Sequence, residues 1–180
     1  VRAERSTRVE PAPGLPADRL TTLGVPLRVG ALELTPLEVR KGAVTLVAER
    51  FGGRKQERDP AGASALFLRV RLRNVSDDLI FAPLDEAFVR DRDRGLPDSF
   101  IETEDGQRIY PYRLPVASER SILGQVFREL KPGEAMETAI VSDVDATARA
   151  RGELSWRLRV RTGRRTTDVV GIRFRSDQIR

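Results

Sequence analysis

Arginines spaced two apart near the end of the chain are the residues best suited to bind a ligand. They are Arg157, Arg159, Arg161, Arg173 and Arg175. A guanidinium presents a planar fork of donors that matches phosphate, sulfate and carboxylate groups. If the two segments that carry them are neighbouring strands, the side chains form one cationic surface, and the sequence predicts a candidate anion-binding site. The alternative, which applies equally to Arg69, Arg71 and Arg73, is a solvated sheet face whose arginines pair with acids such as Glu129, Glu134 and Glu137.

A run of acids in residues 85–105 is the second group with ligand chemistry. It contains eight acids against three arginines, a net charge of −5. Hard cations such as Ca²⁺ take several carboxylate oxygens, which loops can supply. The candidate metal ligands are Asp91, Asp93, Asp98, Glu102, Glu104 and Asp105. Because Arg92 and Arg94 interrupt the run and no EF-hand-type loop is present, we favour a loop whose charges are solvated or paired, with Ca²⁺ as the weaker alternative.

Catalytic chemistry has little support in the composition. The chain has no cysteine and no histidine, which removes disulfides, thiol nucleophiles and imidazole bases. There is no G-x-S-x-G motif and no Walker A phosphate loop. Glu102 and Glu104 could act as a carboxylate pair in a cleft, but beside a hairpin tip we expect them to be solvated. We therefore expect a protein that is not an enzyme and holds no cofactor.

Charge and aromatic content bear on the class of partner. The net charge is +5 over 180 residues, and only 6% of the residues are aromatic. The charge is polarised, because residues 149–180 hold ten arginines against three acids. A nucleic-acid binder usually has a larger basic excess, and a single-strand binder has aromatics on its basic face. We therefore expect a protein or an envelope polymer as the partner rather than a nucleic acid.

Alternation of apolar and polar residues predicts the strands that must position these groups. Residues 65–74, ALFLRVRLRN, are the clearest case, and ELSWRLRVRT and VVGIRFR repeat the pattern near the end of the chain. The alternation places Trp156 on the buried face. Weaker strands are expected at residues 31–39, 44–49, 79–82, 87–90, 100–103, 108–110 and 135–141.

Turn residues separate the predicted strands. Asp105-Gly106 is a hairpin signal, and Pro132-Gly133 fits the centre of a type II turn. A polar loop is expected from Gly52 to about Ser64, and only residues 145–151 have a helical pattern. Residues 1–22, which include Pro11, Pro13 and Pro16, are expected to be a linker or flexible tether. Residues 23–180 are expected to form one all-β domain, an antiparallel sandwich.

The order of motifs from Leu66 to Val141 adds a family resemblance. FLRVRLRNVSDD is followed by LDEAFVRD, EDGQRIYP, LKPGE and AMETAIVSD. This order resembles the bacterial extracellular immunoglobulin-like domains of unknown function, the superfamily that includes secreted mycobacterial immunoprotective antigens. The resemblance implies an immunoglobulin-like β-sandwich on a lipoprotein or membrane-anchored envelope protein, with no catalytic residues. The insertion Arg92 to Asp98 and the strands after Gly152 depart from it.

The expected function follows from these patterns together. We expect a non-catalytic interaction module of a bacterial cell-envelope or secreted protein, located outside the cytoplasm. The alternative is a polyanion-binding module that uses the arginine-rich sheet face. The chain begins with Val1 and holds no run of the ~18 to 20 apolar residues that a membrane helix needs. Any membrane contact is therefore expected through an anchor upstream.

Overall fold

The computed structural model describes residues 13–50, 53–59, 64–90, 99–114 and 118–180. In the part of the chain that the structure describes, strands make up 52% and helices 9%. The expectation of an all-β fold is therefore confirmed at the level of secondary structure.

The described elements are mostly short strands. In chain order the strands are β1 (Leu20–Thr22), β2 (Leu27–Val29), β3 (Leu32–Ala43), β4 (Thr45–Arg50), β5 (Gly53–Arg58), β6 (Ser64–Asn74), β7 (Phe100–Thr103), β8 (Arg108–Ile109), β9 (Arg120–Ile122), β10 (Ala135–Val141), β11 (Glu153–Arg161) and β12 (Thr167–Arg175). The α-helices are α1 (Glu86–Val89) and α2 (Ala146–Arg149), and 3₁₀ turns occur at Ala17–Arg19 and Ser176–Gln178.

The strands form three sheets. The first has the order β1-β12-β11-β7-β8, the second β10-β6-β3-β2 and the third β5-β4-β9. All pairings between these strands are antiparallel except that of β1 with β12, which is parallel. The first sheet is therefore mixed, which corrects the expectation of a purely antiparallel fold.

One core cluster joins the first two sheets. Alternate apolar residues of β6, β11 and β12 are buried in it together, as the period-two pattern requires. Trp156 is only 2% exposed, and its ring centroid lies 6.3 Å from that of Phe174. The prediction that Trp156 faces inward is confirmed.

The third sheet has its own smaller core and is connected to the second sheet through Val44. Up to Ala43 the chain pairs with β6, and from Thr45 it pairs with β5 and β9. Val44, at the change of sheet, is fully buried with Leu46 and Phe67. The end of β3 and the start of β4 therefore meet at a bend.

Three local predictions need correction. Residues 87–90 were expected to form a strand but belong largely to α1, where the Asp85 side chain accepts a hydrogen bond from the Ala87 N–H and caps the helix. Residues 79–82 form only an isolated bridge between Phe81 and Leu130. The polar loop expected after Gly52 contains β5, because pairing with β4 organises residues that have no apolar alternation.

The hairpin and helix predictions agree with the structure. β7 and β8 pair across Asp105-Gly106, where Gly106 has a φ of 78°, a value that glycine adopts without strain. The helical pattern at residues 145–151 corresponds to α2.

The N-terminal boundary also lies elsewhere than expected. Leu20–Thr22 form β1, so the sheet begins before residue 23. Arg19 Nε donates to Asp168 at 2.7 Å. A side chain at Gly171 would place its Cβ 2.8 Å from Leu20 Cδ2 and 2.9 Å from Leu15 Cδ1, so this glycine allows the segment to lie close to β12. Residues 1–12 lie outside the described residues.

Candidate binding site

The five predicted anion-binding arginines lie on one face of the β11–β12 pair, but they are not all exposed on it. Arg157 lies opposite Gly171 on β12 and is 8% exposed. Its guanidinium pairs with Glu102 at 2.9 Å and donates to the Pro13 carbonyl at 2.8 Å. Arg157 therefore holds β7 and the N-terminal segment against β11, because its donors are directed to groups within the protein.

Arg159 and Arg161 contact helix α1. Their guanidinium carbons lie 5.5 and 5.0 Å from the centroid of the Phe88 ring, a cation–π arrangement. Arg161 also pairs with Asp85 at 3.0 Å. The residue that caps α1 therefore also ties the helix to the end of β11.

Arg173 and Arg175 are exposed on β12. Arg175 lies 3.5 Å from Asp177, whereas Arg173 makes no ion pair with any residue that the structure describes. Two of the five predicted cations are thus open to solvent, and the other three are covered at least in part.

The arginines of β6 follow the alternative that the sequence left open. Glu137 pairs with Arg69 at 2.8 Å and with Arg71 at 2.9 Å. These two hydrogen bonds lower the pKa of Glu137 below its usual value. Glu134 pairs with Arg128 at 3.3 Å rather than with β6. The expected pairing of sheet arginines with acids of other strands holds for Glu137.

The predicted metal ligands serve other roles where the structure describes them. Asp91, Asp93 and Asp98 lie outside the described residues. Glu102 pairs with Arg157, and Glu104 packs against Gly152. Asp105 accepts hydrogen bonds from the Thr103 hydroxyl and the Gln107 side chain, and the Thr103 bond is the main cause of its lowered pKa. Within the described ranges, no group of three or more potential ligands lies close enough to hold a metal ion.

A groove of about 600 Å³ lies beside the end of β11. It is lined by Leu79, Ile80, Phe81, Ala82, Asp78, Glu129, Arg161 and Arg164. Ile80 is 50% exposed, although it is a large apolar side chain. The groove therefore combines an exposed apolar group with charges of both signs, and it contains one of the five predicted arginines.

Asn74 fixes the wall of this groove. Its buried side-chain amide donates to the carbonyls of Leu79 at 2.7 Å and Leu130 at 3.0 Å. Phe81 exchanges both backbone hydrogen bonds with Leu130. Because backbone groups alternate along an extended chain, those of Ile80 and Ala82 point away from Leu130, and they form no hydrogen bond with another described residue.

Sequence analysis did not identify Ile80 or Arg164 as binding residues. Ile80 was assigned to an ordinary strand, where an apolar side chain is expected to be buried. The sequence did contain one signal of this exposure. Two acids, Asp77 and Asp78, stand shortly before Ile80 in the stretch DDLI, and adjacent acids usually lie at the surface. Arg164 lines the groove only because the turn after β11 brings it close to residues 78–82, which are far away in sequence.

Comparison with known proteins gives one likeness in fold. The chain matches no family model and no curated protein sequence. It is similar to the crystal structure of the yjhA protein from Bacillus subtilis, with a TM-score of 0.50 and 10% sequence identity. The match covers 84% of this chain and 98% of that chain. At this identity the likeness concerns the fold alone. Among the described residues, no helix is long and apolar enough to cross a membrane.

Proposed function

We propose that this protein is a non-catalytic interaction module of a bacterial cell-envelope or secreted protein, with an immunoglobulin-like sandwich as its scaffold. The two sheets that share one core support the scaffold, as does the order of motifs from Leu66 to Val141. The same resemblance supports a location outside the cytoplasm.

The exposed Ile80 in its groove is the observation that carries the proposal. Large apolar side chains in concave, charge-rimmed surfaces are common contact points between proteins. Ile80 would supply apolar contact, while Arg164, which is exposed and makes no ion pair with a described residue, would pair with an acid of the partner. An extended partner segment could also bond to the free backbone edge at Ile80 and Ala82.

Site-specific photo-crosslinking in the organism that encodes the chain tests this function. A photoreactive phenylalanine in place of Ile80 should give a discrete crosslinked partner, and Arg164→Glu should remove that product. Val25 is the matched control, because it is 51% exposed and does not line the groove. The same product from position 25, or its persistence in Arg164→Glu, would contradict the assignment of the groove.

Polyanion binding by the arginine-rich face is the second proposal, and the geometry supports it less. Its favourable feature is Arg173, which is exposed and has no ion pair among the described residues. Against it, the donors of Arg157 are directed to Glu102 and the Pro13 carbonyl. A polymer would therefore meet a few separated charges rather than a continuous cationic surface.

A further inference from the structure

A second concave surface lies where the chain passes from the second sheet to the third. This cleft has a volume of about 350 Å³ and includes Arg40, Lys41, Arg58, Phe67 and Leu123 among its lining residues. It contains none of the residues of the Ile80 groove. Three of its lining residues are cationic, and none is acidic.

The bend at Val44 brings these cations together. Arg40 lies opposite Phe67 in the β3–β6 pairing, and Lys41 follows it. Arg58 lies opposite Thr45, the first residue of β4, at the far end of β5. Because the chain changes sheet between Ala43 and Thr45, the end of β5 is placed beside the end of β3.

Within the described part of the chain, no acidic side chain forms an ion pair with the cations of the cleft. Arg40, Lys41 and Arg58 are exposed and form no ion pair with another described residue. The guanidinium of Arg40 lies 5.5 Å from the centroid of the Phe67 ring, which orients it without cancelling its charge.

The closest acids along these strands are engaged elsewhere. Glu38 pairs with Arg69 at 2.8 Å. Glu57 pairs with Lys55 at 2.9 Å. Asp59 accepts a hydrogen bond from the Tyr112 hydroxyl. Each of these carboxylates already has a partner, so the charge of the cleft is available to a ligand.

We propose that this cleft binds an organic phosphate or sulfate ester. The guanidinium forks of Arg40 and Arg58 match an oxyanion that carries several acceptor oxygens. Leu123, which is 41% exposed, provides apolar surface beside the cations, so an apolar group attached to the anion adds binding energy. The volume admits a small molecule or the end of a polymer.

Calorimetric titration with inorganic phosphate and phenyl phosphate tests this site. Phenyl phosphate should bind about tenfold more tightly than inorganic phosphate, because its ring covers apolar surface. Arg40→Gln and Arg58→Gln should each weaken phenyl phosphate binding about tenfold, since each removes charge-assisted hydrogen bonds. Leu123→Ser should reduce the preference for phenyl phosphate and leave inorganic phosphate binding unchanged.

Arg28→Gln is the matched control, because Arg28 is exposed on β2 and does not line the cleft. It removes the same positive charge and should leave both affinities unchanged. Circular dichroism verifies that each variant is folded. The proposal fails if the wild-type chain does not bind phenyl phosphate saturably, or if Arg28→Gln weakens binding as much as Arg40→Gln. Binding of phenyl phosphate that is lost only in Arg164→Gln would place the anion in the Ile80 groove instead.

Discussion

Tyr112 joins a polar contact to the small core of the third sheet. Its ring is buried with Leu46 and Val141, and its hydroxyl donates to the Asp59 carboxylate just after β5. Burial, followed by this hydrogen bond, raises the pKa of Tyr112 above its usual value. Ionisation would place a phenolate in an apolar site beside a carboxylate, so the folded chain retains the phenolic proton more strongly than the unfolded chain.

This raised pKa predicts a loss of stability in alkali. The protonated Tyr112 side chain stabilises the folded chain fully below the unfolded pKa of about 10. This stabilisation is lost as the pH rises from there towards the folded pKa. Between about pH 10 and 12, the free energy of unfolding should fall more steeply for wild type than for Tyr112→Phe. Urea unfolding at a series of pH values, followed by Trp156 fluorescence, measures the free energy of unfolding of both proteins. Parallel curves for wild type and Tyr112→Phe would contradict the argument.

Arg157 shows which part of the site could be predicted from sequence. Its position on a strand beside Trp156 follows from the alternation in ELSWRLRVRT. Its partners, Glu102 and the Pro13 carbonyl, lie 55 and 144 residues away in sequence. No local pattern encodes such contacts, so the sequence could place the arginines on strands but could not show which would be covered.

At the scale of elements, local sequence patterns predicted the strands that bury one face. They did not predict strands that lack apolar residues and are defined only by hydrogen bonds to a neighbouring strand. β6, β11 and β12 each bury alternate apolar residues. β5 reads GRKQER and has no apolar residue, so only its register with β4 defines it. The helix α1 was mistaken for a strand because the four residues of EAFV are too few to show a helical period.

The contacts of the N-terminal segment with β12 predict that truncation of this segment and Gly171→Ala have coupled effects on thermal stability. Starting the chain at Leu23 removes β1 and the Arg19–Asp168 ion pair, and should lower the thermal midpoint by about 5 °C or more relative to a chain that starts at Pro13. Gly171→Ala should destabilise the chain that starts at Pro13 by a small amount, because the terminal methyl groups of Leu15 and Leu20 must shift to admit the new Cβ.

The same Gly171→Ala change should have much less effect in the chain that starts at Leu23, where those leucines are absent. Thermal unfolding of the four proteins, followed by circular dichroism, gives the coupling. Equal effects in both backgrounds would mean that the clash is not with the N-terminal segment.

At the scale of the whole molecule, one continuous core joins the first two sheets. Trp156 is its largest fully buried side chain, and the cluster includes inward residues of both sheets. A core of this kind makes unfolding cooperative, because neither sheet can expose its buried face without the other.

Truncation of Trp156 tests the shared core. Trp156→Ala should cost about 3 to 5 kcal/mol, because the surrounding side chains cannot fill the cavity. Denaturant unfolding followed by far-ultraviolet circular dichroism measures it, since the variant has no tryptophan. Leu123→Ala, at a 41% exposed position, should change stability by only about 0.5 kcal/mol. A cost for Trp156→Ala similar to that of Leu123→Ala would contradict the shared core.

The parallel pairing of β1 with β12 also covers part of the edge of the first sheet. β12 is an outer strand apart from the three residues that β1 covers, Gly171 to Arg173. An uncovered edge presents unpaired N–H and C=O groups that can pair with another copy. Removal of β1 would extend the uncovered edge of β12 by these three residues, so we expect the shortened chain to associate with itself more readily than the chain that keeps β1.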